Sequence, residues 1–195
     1  MKLISFNVRV WTRDTSRFSP YYWKKRMKMI RGFLLREDPD VICLQELSFP
    51  ASLYIPWKYR RFGISVSHHI YVRRGVKGHA LWFSIYHNGA VVNGVRIINV
   101  HGTWKPCMQK VWTTLKRRIS GRTIIVGDFN QTRSDVAQNF FRPVGNDDYT
   151  ATFRNYTHGN EYDPDHCVAC GVDAHVRIYD DDFRMSDHLP LIVEY

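Results

Sequence analysis

A chain of 195 residues is long enough to bury a core without disulfide or metal staples, and 44% apolar with 14% aromatic residues excludes a disordered chain. No run of about 18 apolar residues occurs and the first six residues are too short an apolar stretch for a secretory leader, so a cytoplasmic or mature soluble chain is expected. Lysine and arginine number 28 against 18 acids, a net charge of +10 that favours a polyanionic partner, although a basic surface without such a partner is the plainer reading.

Taken in chain order, Leu3 to Val10 alternates as an opening strand. Pro20 stands at a helix N1 position ahead of Tyr21 to Arg36, where Trp23, Met27, Ile30 and Leu34 share a face and Lys24, Lys25, Lys28 and Arg31 are available for the other. Val41 to Leu44 reads as a short buried strand running into Gln45 and Glu46, with Cys43 as a buried thiol. The stretch 48–78 gives no clear period. Strands are expected near Ala80 to Tyr86 and Val91 to Val100, joined by a turn at Asn88-Gly89. A helix follows from Pro106 to Ile119, then a buried strand from Thr123 to Gly127 and a weaker helix over Arg133 to Phe141. Final strands are expected near Val172 to Ile178 and Leu189 to Val193. No linker, low-complexity segment or internal repeat interrupts residues 1–195, which read as one domain.

The polar residues Asn7, Glu46, His101, Asp128, Asn130, Asp173, Asp187 and His188 all lie in or at the ends of expected strands, where a sheet can hold several groups in fixed positions. Hard oxygen and imidazole groups of this kind suit a divalent cation and a phosphate together. Each local pattern also has a plainer reading. Glu46 alone reads as a solvated charge at a strand end. In Gly127-Asp128-Phe129-Asn130, alternation turns Asp128 and Asn130 to one side and Phe129 to the core. Asp187-His188 places an acid and an imidazole side by side before the last strand, with a structural pair as the lesser alternative. His166-Cys167-Val168-Ala169-Cys170, with His158 nearby, offers an incomplete zinc set, and two unligated thiols are the simpler reading. Trp57-Lys58-Tyr59-Arg60-Arg61 and the run from Tyr71 to Lys77 interleave aromatics with cations, which suits strand tracking or an ordinary surface.

Ser5-Phe6-Asn7, Leu44-Gln45-Glu46, Asn99-Val100-His101, Gly127-Asp128-Phe129-Asn130, Val172-Asp173 and Ser186-Asp187-His188-Leu189-Pro190 occur in this order. Together they resemble the endonuclease/exonuclease/phosphatase superfamily, which includes deoxyribonuclease I and the AP endonucleases. The resemblance implies a four-layer α/β/β/α sandwich of two mainly antiparallel sheets. It implies Asn7, Glu46 and Asp187 as ligands of Mg²⁺ or Mn²⁺, and Asp128 with Asn130 as the pair that orients the attacking water. His188, oriented by Asp187, is implied as base or transition-state stabiliser, His101 as the leaving-group histidine, and Asp173 as a support of the phosphate site. Ala174-His175-Val176 departs from the family's pattern after that aspartate. Tyr71 matches either a phosphate-contacting tyrosine or a core residue, and Asn7, Arg73 and Arg74 are further candidates for substrate contact. The implied activity is metal-dependent hydrolysis of nucleic-acid phosphodiesters, DNA rather than RNA, by a monomer with no membrane partner. A phosphatase of small phosphorylated molecules or lipid headgroups is the alternative, and an inactive binding module the third reading.

Overall fold

The computed structural model describes residues 1–10, 20–62, 68–103, 108–139, 144, 151–154, 161–180 and 184–195. The elements are β1 (Lys2–Asn7), α1 (Pro20–Glu37), β2 (Val41–Gln45), the single turn α2 (Phe49–Ser52), β3 (Tyr59–Phe62), β4 (His69–Arg73), β5 (Gly78–Phe83), β6 (His87–Val92) and β7 (Val95–His101). They continue with α3 (Met108–Arg118), β8 (Thr123–Asp128), α4 (Arg133–Asn139), β9 (Phe153–Arg154), β10 (Glu161–Tyr162), β11 (Asp165–Cys170), β12 (His175–Ile178) and β13 (Leu191–Glu194). Among the described residues no helix is long and apolar enough to cross a membrane.

Two sheets face each other. One has the order β12-β13-β1-β2-β4-β3 and the other β11-β8-β7-β6-β5, with β9 and β10 as a separate ribbon. Each sheet has one parallel pair, β1 with β2 and β7 with β8, and its other pairs are antiparallel. A parallel pair needs a crossover, and α1 and α3 supply the two. Strands buried on both faces must be apolar throughout, which is why β2 and β8 read as unbroken apolar runs.

The core forms three buried strata, and these define the four layers. Met27, Ile30, Phe33 and Leu34 of α1 pack on Ile4, Phe6, Ile42 and Leu44. Leu3, Val41, Cys43, Ile70 and Val193 meet Ile97, Ile124, Val126 and Cys167 between the sheets. Val111, Trp112 and Leu115 of α3 cover Ile98, Val100 and Ile125. Each fully buried side chain of this size contributes about 1.5–3 kcal/mol. The α/β sandwich expected from the sequence is the observed fold.

Local departures have physical reasons. Asn88 and Gly89 lie inside β6, where Gly89 leaves room for the Trp82 ring; a Cβ there would stand 3.0 Å from it. The hairpin turn is Asn93-Gly94, both left-handed (φ 47° and 77°), between Val92 and its partner Val95. Cys167 faces the inter-sheet core while Cys170 packs on the α3 stratum, because residues three apart on a strand point to opposite faces. That geometry removes the zinc reading for this pair; His158 lies outside the described residues. Pro106 and residues 140–141, at the ends of two expected helices, also lie outside them.

Candidate active site

Because both parallel pairs run the same way, their carboxy-terminal ends deliver four side chains to one edge of the sandwich. Asn7 ends β1 beside Gln45, and His101 ends β7 beside Asp128. Glu46 follows β2 in a left-handed conformation (φ 52°), unusual for a glutamate and typical of strained functional positions. The buried Asn7 amide spans two carboxylates, donating from Nδ2 to Glu46 Oε1 at 3.1 Å and to Asp128 Oδ2 at 2.9 Å. His101 Nε2 lies 3.6 Å from Glu46 Oε1. Gly127 makes this convergence sterically feasible: at φ 145° its missing Cβ would stand 2.1 Å from Val100 O.

A second group closes the site. His188 Nδ1 is 2.8 Å from Asp165 Oδ2, and His188 Nε2 lies 3.9 Å from Asp128 Oδ2. The Phe153 and His188 rings pack in a T-shaped arrangement, with centroids 4.8 Å apart. Asp165 starts β11 opposite Asp128, and its N–H donates to Thr152 Oγ1 at 3.3 Å. Asp187 is instead ion-paired with Arg9, and Ser186 Oγ donates to Asn7 O at 2.7 Å. The orienting carboxylate of His188 is therefore Asp165 and not Asp187, since adjacent residues in an extended segment point apart.

Asn130 lies just beyond β8 in a left-handed conformation (φ 51°), so the strict alternation expected past Asp128 does not hold. Its N–H caps Asp128 Oδ1 at 2.8 Å, and its Nδ2 donates to Gly102 O at 3.3 Å. Buried Arg26, lowered by burial to about 10, holds the site's rim by donating to Val8 O, Arg9 O and Met185 O.

The electrostatics divide the groups into acid and base. Burial raises the Asp128 carboxyl, while His188 opposes this, Asp165 adds to it, and His101 and the Asn7 amide oppose it. Burial disfavours a charged His188, but Asp165, by charge and hydrogen bond, with Asp128 and Asp187 behind it, outweighs that and raises the imidazole to about 10. Ligand atoms of Glu46, His101 and Asp128 lie within 4.8 Å of one another. Two carboxylates sharing one amide, partly open to solvent at Glu46, form a donor set that fits a hard divalent cation.

A model of the Endonuclease/Exonuclease/phosphatase family matches residues 4–188. The chain belongs to that family. Solved structures agree in fold. The endonuclease/exonuclease/phosphatase from Bacteroides vulgatus has a TM-score of 0.75 at 14% identity, covering 98% of this chain and 97% of that one. TDP2 of D. rerio, solved with a single-strand DNA product, has a TM-score of 0.70 at 16% identity, covering 99% and 97%. An AP endonuclease from Archaeoglobus fulgidus has a TM-score of 0.68 at 15% identity, covering 100% and 99%. Comparison with curated proteins gives no match.

Not every residue singled out for the family site reaches it. Asp173 is exposed in the turn beyond β11. With Asp165 opposite Asp128 and Cys170 opposite Thr123, β11 has carried the chain about 17 Å from the cleft before that turn. Tyr71 is buried in the α1 stratum, opposite Ile42 and not at the strand end. Arg73 pairs with Asp40 at 2.7 Å and with Asp38 at 3.3 Å, and Arg74 Nε donates to Trp57 O at 2.9 Å. Asp38 and Asp40 precede Val41, and antiparallel β4 runs from His69 opposite Leu44 to Val72 opposite Val41, so Arg73 and the adjacent Arg74 sit at the end of the sandwich opposite Glu46. The aromatic and basic mixture of Trp57, Lys58, Arg73 and Arg74 therefore does not flank the cleft. Asp165, absent from the sequence motifs, has one signal: an acid just before the short apolar run Cys167 to Cys170.

Proposed function

We propose that this chain, acting over residues 1–195 as a single catalytic domain, is a divalent-metal-dependent phosphodiesterase that cleaves nucleic acid, DNA in preference to RNA, as a monomer. The observation that carries the reading is the Asp165–His188 pair set beside Asp128, with the Asn7 amide joining Asp128 to Glu46. The net charge of +10 supports a polyanionic substrate, since cationic surfaces gain affinity by releasing counterions from phosphates.

Glu46 and Asp128, bridged by the Asn7 Nδ2 amide, would hold Mg²⁺ or Mn²⁺, leaving His101 beside them for the substrate; Asp187 is a weaker candidate, being engaged by Arg9. Such a cation, when bound, neutralises charge that grows on the phosphate. The chain's own groups do the rest. Asp128, a buried carboxylate with His188 Nε2 3.9 Å from its Oδ2, suits the base that accepts a proton from the attacking water. Asn130, held on Asp128 Oδ1, fixes the orientation of that carboxylate. His188, raised to about 10, is an imidazolium at neutral pH and suits charge stabilisation at phosphorus, not proton abstraction. His101, on the neighbouring strand, is placed to protonate the departing oxygen.

The test is incubation of the purified chain with plasmid DNA, single-stranded DNA, RNA and a soluble phosphomonoester, each with Mg²⁺, Mn²⁺ or EDTA. DNA cleavage that EDTA abolishes and Mg²⁺ restores is expected. Hydrolysis of the phosphomonoester with no nucleic acid cut would overturn the reading.

A further inference from the structure

Glu46 has no helix or strand of its own to hold it. It sits one residue past β2 in a left-handed conformation, which a non-glycine residue keeps only when its surroundings enforce it. The backbone carbonyls at and beside it are all engaged. Gln45 O accepts from Val8 N at 3.0 Å and Glu46 O from Val10 N at 2.9 Å. Leu47 O lies 3.1 Å from His69 Nε2. A carbonyl can only accept, so His69 carries its proton on Nε2, and burial lowers that ring to about 4, keeping it neutral.

The remaining anchor comes from the other sheet. Asn99, on β7 and 0% exposed, donates from Nδ2 to Leu44 O and to His69 O, both at 3.1 Å. Its Oδ1 accepts from Gln45 Nε2 at 2.6 Å. One side-chain amide thus spends both donors and its acceptor on β2, β4 and Gln45. Asn99 also stands two residues before His101 on the same strand, so both side chains emerge on one face. The separation between the strand that presents Glu46 and the strand that presents His101 is set at this amide.

We propose that Asn99 and Gln45 form an inter-sheet clamp whose role is to position Glu46 against His101 and Asp128, and so to set the affinity of the cation site. The inference rests on the metal-dependent reading given above. Asn99 and Gln45 touch neither substrate nor cation; they are positioning residues. Losing the clamp frees Glu46 to leave the left-handed conformation, and the loss falls on cation binding more than on the chemistry that follows it.

Asn99→Leu removes all three hydrogen bonds while keeping the same branched heavy-atom skeleton. Gln45→Met removes the bond to Asn99 Oδ1, together with the longer contacts of Gln45 Nε2 to Ser5 Oγ and Cys43 O, leaves Asn99 on Leu44 O and His69 O, and serves where Asn99→Leu does not fold. Mn²⁺ binding is measured calorimetrically for the wild type, for both variants and for Glu46→Ala, with melting temperature and metal-dependent DNA cleavage alongside. Outer-shell partners of metal ligands typically change affinity about 10–100-fold. The expected result is a Kd for Mn²⁺ raised at least about 10-fold in either variant, with kcat at saturating Mn²⁺ recovering to within a few-fold of wild type. A lowered melting temperature with an unchanged Kd would make the clamp merely structural and overturn the proposal. Failure of the wild type to bind Mn²⁺, or binding untouched in Glu46→Ala, would instead overturn the assignment of the cation site.

Discussion

At the residue scale, the division between His188 and Asp173 is the sharpest consequence of the geometry. His188 is held by Asp165 and faces Asp128, whereas Asp173 lies exposed beyond the far end of β11. His188→Ala should lower kcat for DNA cleavage by about 10²–10⁴-fold, the usual worth of a group acting on charge or protons in the transition state. Asp165→Asn should cost nearly as much, because the amide cannot stabilise the imidazolium. Asp173→Asn should leave kcat within about twofold, a change too small to mark a group in the reaction. Steady-state rates for the three variants, with DNA binding followed separately, decide it; a large loss in Asp173→Asn would mean that the cleft is misplaced. Asn7, Glu46, His101, Asp128 and His188 are legible in the sequence because each sits in a local pattern at a strand end. Asp165 is not, since its partner His188 is distant in sequence and only the antiparallel register of β11 with β8 brings it opposite Asp128.

At the element scale, the strands that flank crossover helices are the readable ones, because burial on both faces leaves an uninterrupted apolar run. The edge strands β3 and β11, and β4 next to the edge, mix polar and apolar residues, and β4 and β11 each pair with a strand distant in the chain, β2 and β8. This is why the 48–78 stretch gives no period and why its arginines are misread as cleft residues. The structure predicts that charge reversal at Arg73 and Arg74 leaves KM for DNA unchanged within about twofold. Loss of the Asp38 and Asp40 contacts should appear only as a modest fall in melting temperature. A several-fold rise in KM would return that face to substrate binding. Gly127 makes the opposite kind of prediction. A Cβ 2.1 Å from Val100 O forces β8 away from β7, so Gly127→Ala should cost about 1–3 kcal/mol or more. For a chain of this length that is a fall of roughly 2–12 °C in melting temperature, read by calorimetry. An unchanged transition would mean that β7 and β8 are not paired in this register.

At the scale of the whole molecule, the cleft end of the sandwich holds an unusual number of buried imidazoles. Burial lowers His68, His69 and His87 to about 4, so all three are neutral in the folded chain near pH 7. An unfolded histidine titrates near 6.5, so between about 6.5 and about 4 the unfolded chain binds more protons than the folded one. The stability these rings contribute is fully present above about pH 6.5 and is lost as pH falls toward about 4. His188 behaves oppositely: raised to about 10, it contributes stability that is present below about pH 6.5 and lost as pH rises through about 10. Asp128 and Asp163, raised first by burial, also oppose the acid loss, so the net acid limb does not isolate the histidines. A single substitution does. His87 Nδ1 lies 2.9 Å from Ser84 Oγ at the turn into β6, a contact that glutamine can replace. Relative to wild type, His87→Gln should gain about 2 kcal/mol between pH 7 and pH 5, because an interval of about 1.5 units below 6.5 is then free of that proton linkage. Chemical denaturation of both proteins at the two pH values, in EDTA, measures the difference directly. Equal changes in the two proteins would mean that His87 is already protonated, or solvated, in the folded chain.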